Sequence, residues 1–179
     1  MAETIADAEI VISQESAQAP EKEYENAMIE AFINKPEKTF WYQNAFSKFN
    51  INGIDSMKWV WSWWAFFGGW AFLLYRKQYI PALVLFVISI LASIIPFGGL
   101  ILAILAGGFS TYFIYKGYKH KKAEIEASIE DKEKRIETMR AVGGYNQWVV
   151  WVYAIFEGIL LFIYIFYIFG MMAAVALNN

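Results

Sequence analysis

The side chain with the most distinctive chemical setting is a single acid inside an apolar run. Glu157 is the tenth of the 22 residues from Trp148 to Phe169. An acid near mid-membrane costs on the order of 2–3 kcal/mol, so it is by default an ion or proton site or a contact to a partner helix. The alternative is a protonated carboxyl that hydrogen-bonds a polar side chain, and Gly158 would permit close helix approach. The side chains considered for that bond are Ser89, Ser93, Ser110, Thr111 and the tyrosines.

Basic and aromatic side chains are grouped where they could meet lipid headgroups. Lysine and arginine concentrate at Arg76–Lys77 and in eight residues between Lys116 and Arg140. The positive-inside rule predicts that both groups lie on the cytoplasmic side. We expect them to anchor the chain at the membrane surface, or alternatively to bind anionic lipid. The candidate anchors are Trp59, Trp63, Trp64, Trp70, Arg76, Lys77, Lys116 and Lys119.

Other kinds of chemistry find no support in the sequence. It has no glycine-rich phosphate loop, paired catalytic carboxylates or Ser-His-Asp set. Cysteine is absent, and the one histidine, His120, lies among lysines, so we expect neither a metal nor a cofactor. A net charge of −2 gives no reason to expect nucleic acid as a partner. The expectation is therefore a protein that is not an enzyme.

The elements that position these residues are predicted to be helices in a membrane. The chain is 58% apolar and 19% aromatic, and residues 78–115 hold no charge. The 37 residues from Tyr79 to Tyr115 suffice for two spans, at about 20 residues each, that turn at Pro96–Gly99. Residues 145–177 supply a further span. We predict an all-α, multi-pass membrane protein whose hairpin covers residues 79–115.

A tryptophan-rich segment precedes this hairpin. Residues 59–75 read WVWSWWAFFGGWAFLLY, and nine of these 17 residues are aromatic. Because the run is short, is interrupted by Gly68 and Gly69 and favours the headgroup level, residues 59–78 are predicted to be interfacial or re-entrant. That gives three spans and a cytoplasmic N-terminus. Four spans with the N-terminus outside remain the alternative.

The remaining segments are polar. Residues 1–20 are acidic and are expected to be a disordered tail, and residues 21–58 to form amphipathic cytoplasmic helices. Residues 116–144 are expected to form one charged cytoplasmic helix that ends at Gly143 and Gly144. Its narrow apolar seam is of the coiled-coil kind and could engage a partner helix. The seam residues are Ile125, Ile129, Ile136 and Met139.

Two blocks of the sequence resemble a known family. They are FINKPEKTFWYQNAFSKF and WSWWAFFGGWAFLLYRKQYIPA, whose most specific part is the aromatic core followed by Leu74, Tyr75, Arg76, Lys77 and Tyr79. Over residues 31–115 the chain resembles domain of unknown function 2628, and it departs from the family pattern at Trp61 and Ser62. The resemblance implies a bacterial inner-membrane protein without a known activity. It does not extend to the charged helix or the last span.

The functional expectation is an accessory or scaffold subunit of a membrane complex. Its partners would be the bilayer and a membrane protein or further copies of itself. One alternative is an oligomeric transport or proton-handling component that uses Glu157. Another is a membrane organiser that binds anionic lipid through Arg76, Lys77 and KGYKHKK.

Overall fold

The chain is mostly helical, as predicted. The computed structural model describes residues 19–51 and 53–177, which form seven helices and one two-stranded hairpin. The helices are α1 (19–33), α2 (Pro36–Phe49), α3 (Trp63–Tyr75), α4 (Tyr79–Ala92), α5 (Gly98–Ser128), α6 (Lys132–Val142) and α7 (Trp148–Leu177). The antiparallel strands are β1 (Asn50–Ile51) and β2 (Ile54–Asp55). Of the tail expected over residues 1–20, residues 1–18 lie outside the described part, and residues 19 and 20 begin α1.

The chain divides into two compact units. One is Met1–Tyr145 and the other is Asn146–Asn179, whose described structure consists essentially of α7. Within the first unit we distinguish a head and an apolar part. The head contains α1, α2, the β hairpin, the C-terminal half of α5, and α6. The apolar part contains residues 59–62, α3, α4 and the N-terminal half of α5.

The core of the head is built from aromatic and aliphatic side chains at helical spacing. Met28 and Phe32 of α1 are one turn apart, and Tyr42, Phe46 and Phe49 of α2 repeat every three or four residues. All five are buried against the C-terminal half of α5 and against α6. The residues that α5 and α6 contribute are Ile114, Tyr115, Tyr118, Ile125 and Met139. Helices α1 and α2 thus cover α5 rather than standing apart from it.

The charged segment is not the single helix expected over residues 116–144. Helix α5 runs without a break from the apolar sequence to Ser128, and a second helix begins at Lys132. Asp131 caps that second helix, because its carboxylate accepts a hydrogen bond from the Lys134 amide at 2.9 Å. Arg135 donates to the Ile129 carbonyl beyond the end of α5. Asp131 and Arg135 therefore bind backbone groups at the junction of the two helices.

The tryptophan-rich segment begins as extended chain lying on a helix. The backbone N–H groups of Val60 and Ser62 donate to the carbonyls of Gly108 and Gly107 at 3.0 and 2.8 Å. The two glycines leave room for this approach, since a Cβ on Gly108 would lie 2.6 Å from the Trp59 ring. Gly107 and Gly108 of α5 thus face this extended segment. Ser62 then accepts a hydrogen bond from the Ala65 amide and caps α3.

Within the described part of the chain, two helices are long and apolar enough to cross a membrane. They are Gly98–Ser128 and the segment Trp148–Ala173. Helix α4 has 14 residues, about 21 Å at 1.5 Å per residue, which is short of a hydrocarbon layer of about 30 Å. Helix α3 has 13 residues and a break in helical geometry at Gly69, where φ is 48°. Of the helices in the described residues, two have the length of a full span, and α4, expected to be another, is shorter.

The surface of the apolar part is itself apolar. Large aliphatic side chains on α4 and on the first turns of α5 are exposed; they include Ile80, Leu83, Val84, Val87, Leu91, Leu100 and Ile101. Soluble monomers rarely show so large a contiguous apolar surface. Between these helices the chain turns over Ser93–Phe97, and Phe97 has a positive φ of 61°. The turn thus begins three residues before the predicted one.

The packing of the extended segment on α5 predicts that glycines of this helix differ in how much a substitution by alanine destabilises the fold. The double substitution Gly107→Ala and Gly108→Ala would drive Cβ atoms to within 3.0 Å of the Trp61 and Trp59 rings. We expect it to lower the free energy of unfolding by roughly 1–3 kcal/mol, as overpacking does. The control is Gly99→Ala, because a Cβ there meets nothing within 4 Å. Thermal unfolding in detergent measures both, and equal midpoints for the two variants would contradict the packing.

Candidate functional site

The charged side chains of the head surround a cleft of about 510 Å³. Its apolar floor consists of Ile29, Phe46 and Tyr115, and its walls come from α1, α2 and α5. The volume is in the range of small-molecule sites. The polar residues of the walls are Lys22, Glu25, Asn26, Gln43, Ser47, Asn50, Lys119, Lys122 and Glu126.

An acid–base network fixes the wall between α1 and α5. The Lys122 ammonium pairs with the Glu25 carboxylate and lies 3.7 Å from that of Glu126. The Tyr118 hydroxyl donates to Glu25 at 2.8 Å, and the Tyr24 hydroxyl donates to Glu126 at 3.1 Å. Each acid therefore receives both a lysine and a tyrosine. This pattern joins the two helices and leaves no carboxylate of the pair without a donor.

A second network is centred on Asp55, at the end of the β hairpin. Its carboxylate accepts from the Tyr115 hydroxyl at 2.6 Å and from Lys119 at 3.0 and 3.1 Å. Lys116 lies 3.5 Å away and Asn50 donates at 3.3 Å. The tyrosine hydrogen bond and, after it, the lysine hydrogen bond and charge lower the pKa of Asp55. Lys116 and Lys119, which the sequence suggested as headgroup anchors, thus both pair with Asp55 at the partly exposed surface of the head.

Arg76 lies inside the protein rather than at its surface. The residue follows α3 and is 6% exposed. Its Nη1 donates to the Ile33 carbonyl, the last of α1, at 3.1 Å, and its guanidinium lies 4.8 Å from the Tyr42 ring centroid. This placement differs from the expected headgroup anchor, because the C-terminal carbonyl of α1 and the tyrosine face draw the cation inward. Burial also raises the pKa of Tyr42, which Arg76 partly opposes.

The tryptophans proposed as anchors lie in different environments. Trp59, Trp63 and Trp64 are exposed, and Trp64 is the most exposed of them at 72%. Trp70 is half-buried and meets the Phe86 ring edge-on at 5.1 Å. Trp59 also packs in parallel with Trp61 at 6.2 Å. The three exposed indoles remain predicted interface anchors.

The predicted partner seam contributes to the core of the head. Ile125 and Met139 are buried, and Ile129 and Ile136 pack against the same core. The seam therefore meets α1 and α2 of its own chain instead of presenting a free stripe. The substitution Ile129→Asp or Ile136→Asp would therefore disturb the core of the head.

Glu157 lies on α7, in the second unit. The Tyr153 side chain, one helical turn earlier, hydrogen-bonds the Glu157 carboxyl. A tyrosine, one of the predicted hydrogen-bond partners of Glu157, therefore lies next to it on the same helix. Ser89 and Ser93 instead donate to carbonyls of their own helix, each at 2.7 Å.

The sequence did not point to Glu25, Tyr118, Asp55 or Tyr115. One available signal was Asn52-Gly53 just before Asp55, a dipeptide typical of tight hairpins. Glu25 carries no such signal, because one glutamate in an acidic stretch looks like its neighbours. Over the residues that the structure describes, no group of three or more His, Cys, Asp and Glu side chains could hold a metal ion.

Comparison with known proteins supports the resemblance seen in the sequence. Residues 25–110 match the family described as Protein of unknown function (DUF2628). The match begins in α1 and ends in α5, so it includes Asp55 and Arg76 and stops before α6 and α7. No curated protein and no solved structure matches the chain. The predicted resemblance to this family is confirmed, over a range close to the expected residues 31–115.

The Asp55 network predicts a specific dependence of stability on acidity. Because folding lowers the pKa of Asp55, its contribution is complete above the unfolded pKa of about 3.9 and is lost as the pH falls through the lower folded value. The unfolding midpoint should therefore fall more steeply from about pH 5 to about pH 3 in the wild type than in Asp55→Asn. Tyr115→Phe should flatten the profile in part. Glu30→Gln on the exposed side of α1 is the control, and a wild-type slope equal to that of Asp55→Asn would refute the network.

The buried cation predicts that arginine and lysine are not equivalent at position 76. Arg76→Lys keeps the charge but loses the planar group that contacts Tyr42 while reaching the Ile33 carbonyl. We expect a loss of roughly 1–3 kcal/mol in the free energy of unfolding. Arg140→Lys, at an exposed position of α6, should change little. Chemical unfolding of both variants in detergent measures the difference, and matching midpoints would rule out the buried role.

Proposed function

For a chain whose residues 25–110 match a family of unknown function, we propose a non-enzymatic accessory or scaffold subunit of a membrane complex. The proposed location is the bacterial inner membrane, with the head in the cytoplasm. The observation that carries the proposal is α7. This 30-residue helix is a unit of its own and holds one charged residue, Glu157, within an apolar sequence.

The composition of α7 supports an intramembrane contact. A helix that is apolar on every side belongs in lipid or in a protein interior, and the second unit offers no other described element to cover it. Once in lipid, the acid at its middle is costly unless polar groups receive it. Tyr153 supplies one such group, and Gly158 lets another helix approach closely. A partner helix with a polar side chain would complete the set.

The proposed topology follows the distribution of charge. Arg76 and Lys77 precede the α4–α5 hairpin and KGYKHKK follows it, so both ends of the hairpin are placed on the cytoplasmic side. The three proposed passes are α4, α5 and α7. Helix α4 is shorter than the hydrocarbon layer, and local thinning of the bilayer would accommodate it. Helix α3, with its break at Gly69, is proposed to stay at the interface. The exposed apolar surface of α4 and α5 supports this arrangement.

The proposal assigns the head to positioning rather than to catalysis. Glu25, Glu126 and Asp55 each have a tyrosine donor and an ion pair with lysine, which is typical of a structural network. An acid that works as a catalytic base is usually held near its operating pH by burial or by a second acid. Asp55 is shifted the other way, toward a stronger acid.

A transport or proton-handling role is the second candidate, because Tyr153 and Glu157 place two titratable groups in one hydrogen bond within an apolar helix. Glu157→Gln separates the two proposals. An amide can still hydrogen-bond a partner, but it cannot release a proton. Association that survives in Glu157→Gln while proton flux in proteoliposomes is lost would favour the transport role.

The accessory role predicts a partner that depends on Glu157. Tagged wild-type protein, Glu157→Leu and the control Tyr164→Phe are purified gently from the native membrane and analysed by mass spectrometry. We expect one stoichiometric membrane protein with the wild type and the control, and a loss of at least about tenfold with Glu157→Leu, since leucine leaves the partner's polar group unpaired. Equal membrane fractionation of all three shows intact insertion. Recovery of the wild type alone, or an undiminished partner with Glu157→Leu, would reject the role.

A further inference from the structure

Three lysines from separate parts of the chain meet at the loop after α6. The Lys77 ammonium donates to the Gly143 carbonyl, and that of Lys121 donates to the Val142 carbonyl at 2.9 Å. Lys35 Nζ lies 4.4 Å from the centroid of the Tyr145 ring. Residues 142–145 are consecutive, so the three ammonium groups occupy one small surface. We call Lys35, Lys77 and Lys121 the lysine cluster.

These cations differ from the other lysines of the head. Lys116, Lys119 and Lys122 have carboxylate partners within 4.0 Å, whereas no such ion pair is seen for the lysine cluster across residues 19–51 and 53–177. Glu37 acts on Lys35, and Glu124 acts on Lys121, only through longer-range attraction. The contacts that hold the cluster are carbonyl oxygens and aromatic faces. They leave its positive charge uncompensated.

The cluster also retains donors. An ammonium group has three protons, and one carbonyl uses one of them, so Lys77 and Lys121 each keep protons for a further acceptor. Lys35 lies over two rings, those of Tyr145 and Tyr75, which are 5.0 Å apart. A hydrogen bond with Tyr75 raises the pKa of Lys35, so this lysine stays charged at neutral pH. Three cations that contact one short loop suit an anion with several oxygen acceptors.

The position of the cluster along the chain indicates where such an anion would come from. Lys77 lies between the apolar helices α3 and α4, and Tyr145 precedes the start of α7 by three residues. Tyrosines such as Tyr75 and Tyr145 favour the headgroup level. If the apolar helices are in a membrane, the lysine cluster lies at the depth of lipid phosphates.

We propose that the lysine cluster binds a phosphate group, supplied by an anionic phospholipid headgroup. The inference rests on the proposed membrane location but not on the proposed partner. It assigns lipid binding to Lys35, Lys77 and Lys121, and not to Arg76, Lys116 or Lys119, which have partners inside the protein. A bound phosphate would bridge the α1–α2 connection, the α3–α4 turn and α5.

The test uses the full chain with defined lipids. Purified protein in neutral detergent is titrated with phosphatidylglycerol, phosphatidylcholine or inorganic phosphate, and bound lipid is counted by native mass spectrometry. The variant Lys35→Gln/Lys77→Gln/Lys121→Gln keeps amide donors for the loop carbonyls. The control Lys38→Gln/Lys48→Gln/Lys134→Gln removes the same charge from exposed positions of the head. A third variant carries Arg at all three cluster positions and so restores the charge.

We expect phosphatidylglycerol affinity to fall by at least about tenfold in the cluster variant and by less than about twofold in the control. The Arg variant should bind like the wild type, and added salt should weaken binding. Inorganic phosphate that binds as tightly as phosphatidylglycerol, with the same loss in the cluster variant, would support the phosphate site with free phosphate as its source.

Three results would overturn the inference. They are equal losses in the cluster variant and the control, equal binding of phosphatidylglycerol and phosphatidylcholine by the wild type, and failure of the Arg variant to bind although its unfolding midpoint matches the wild type. Recovery of the protein in the soluble fraction of cells would instead overturn the membrane location. Loss of the stoichiometric partner alone would leave the lysine cluster unaffected.

Discussion

The buried guanidinium of Arg76 is the interaction on which the first unit depends. It connects the turn after α3 to the last carbonyl of α1 and to the Tyr42 ring of α2, so it joins the apolar part to the head. The same turn is pressed onto α5, because a Cβ at Gly117 would lie 2.1 Å from the Gln78 side chain. Burial of the Arg76 guanidinium costs hydration free energy, and the Ile33 carbonyl and the Tyr42 ring must both be in place to compensate for it. Arg76 therefore couples the head to the apolar helices, in addition to the continuous helix α5.

The sequence predicted the helices and the apolar segments well. Its predictions failed where a residue is buried by a segment that is distant in sequence. The two long apolar helices, the family and the glycine ending of α6 follow from composition and local signals. The outcome for Ile125 and Met139 depends on α1, about a hundred residues away, which covers them. The break at Ile129–Asp131 arises because the Asp131 carboxylate caps α6 instead of remaining on the surface of one continuous helix. Neither outcome has a local signature.

The charges of the candidate site show the same limit. Counting lysines predicted a basic surface, but the carboxylates that neutralise part of it come from Asp55 and Glu25, far away in sequence. Those pairs remove Lys116, Lys119 and Lys122 from the set of available cations. Lys35 lies far in sequence from Lys77 and Lys121. It belongs to the lysine cluster because the α1–α2 connection places it next to Tyr145. Which cations stay unpaired is thus a property of the fold.

The two units favour a division of roles. The head satisfies its own acids and buries its own apolar seam, so it is suited to holding its surroundings in a fixed geometry. Two features are proposed to meet groups outside the chain: the acid of α7, in the second unit, and the positive charge of the lysine cluster in the first. Both belong to, or border, apolar helices, where water is a poor competitor and a polar contact gains strength. For that reason the proposed binding partners are a membrane helix and a lipid phosphate rather than a soluble substrate.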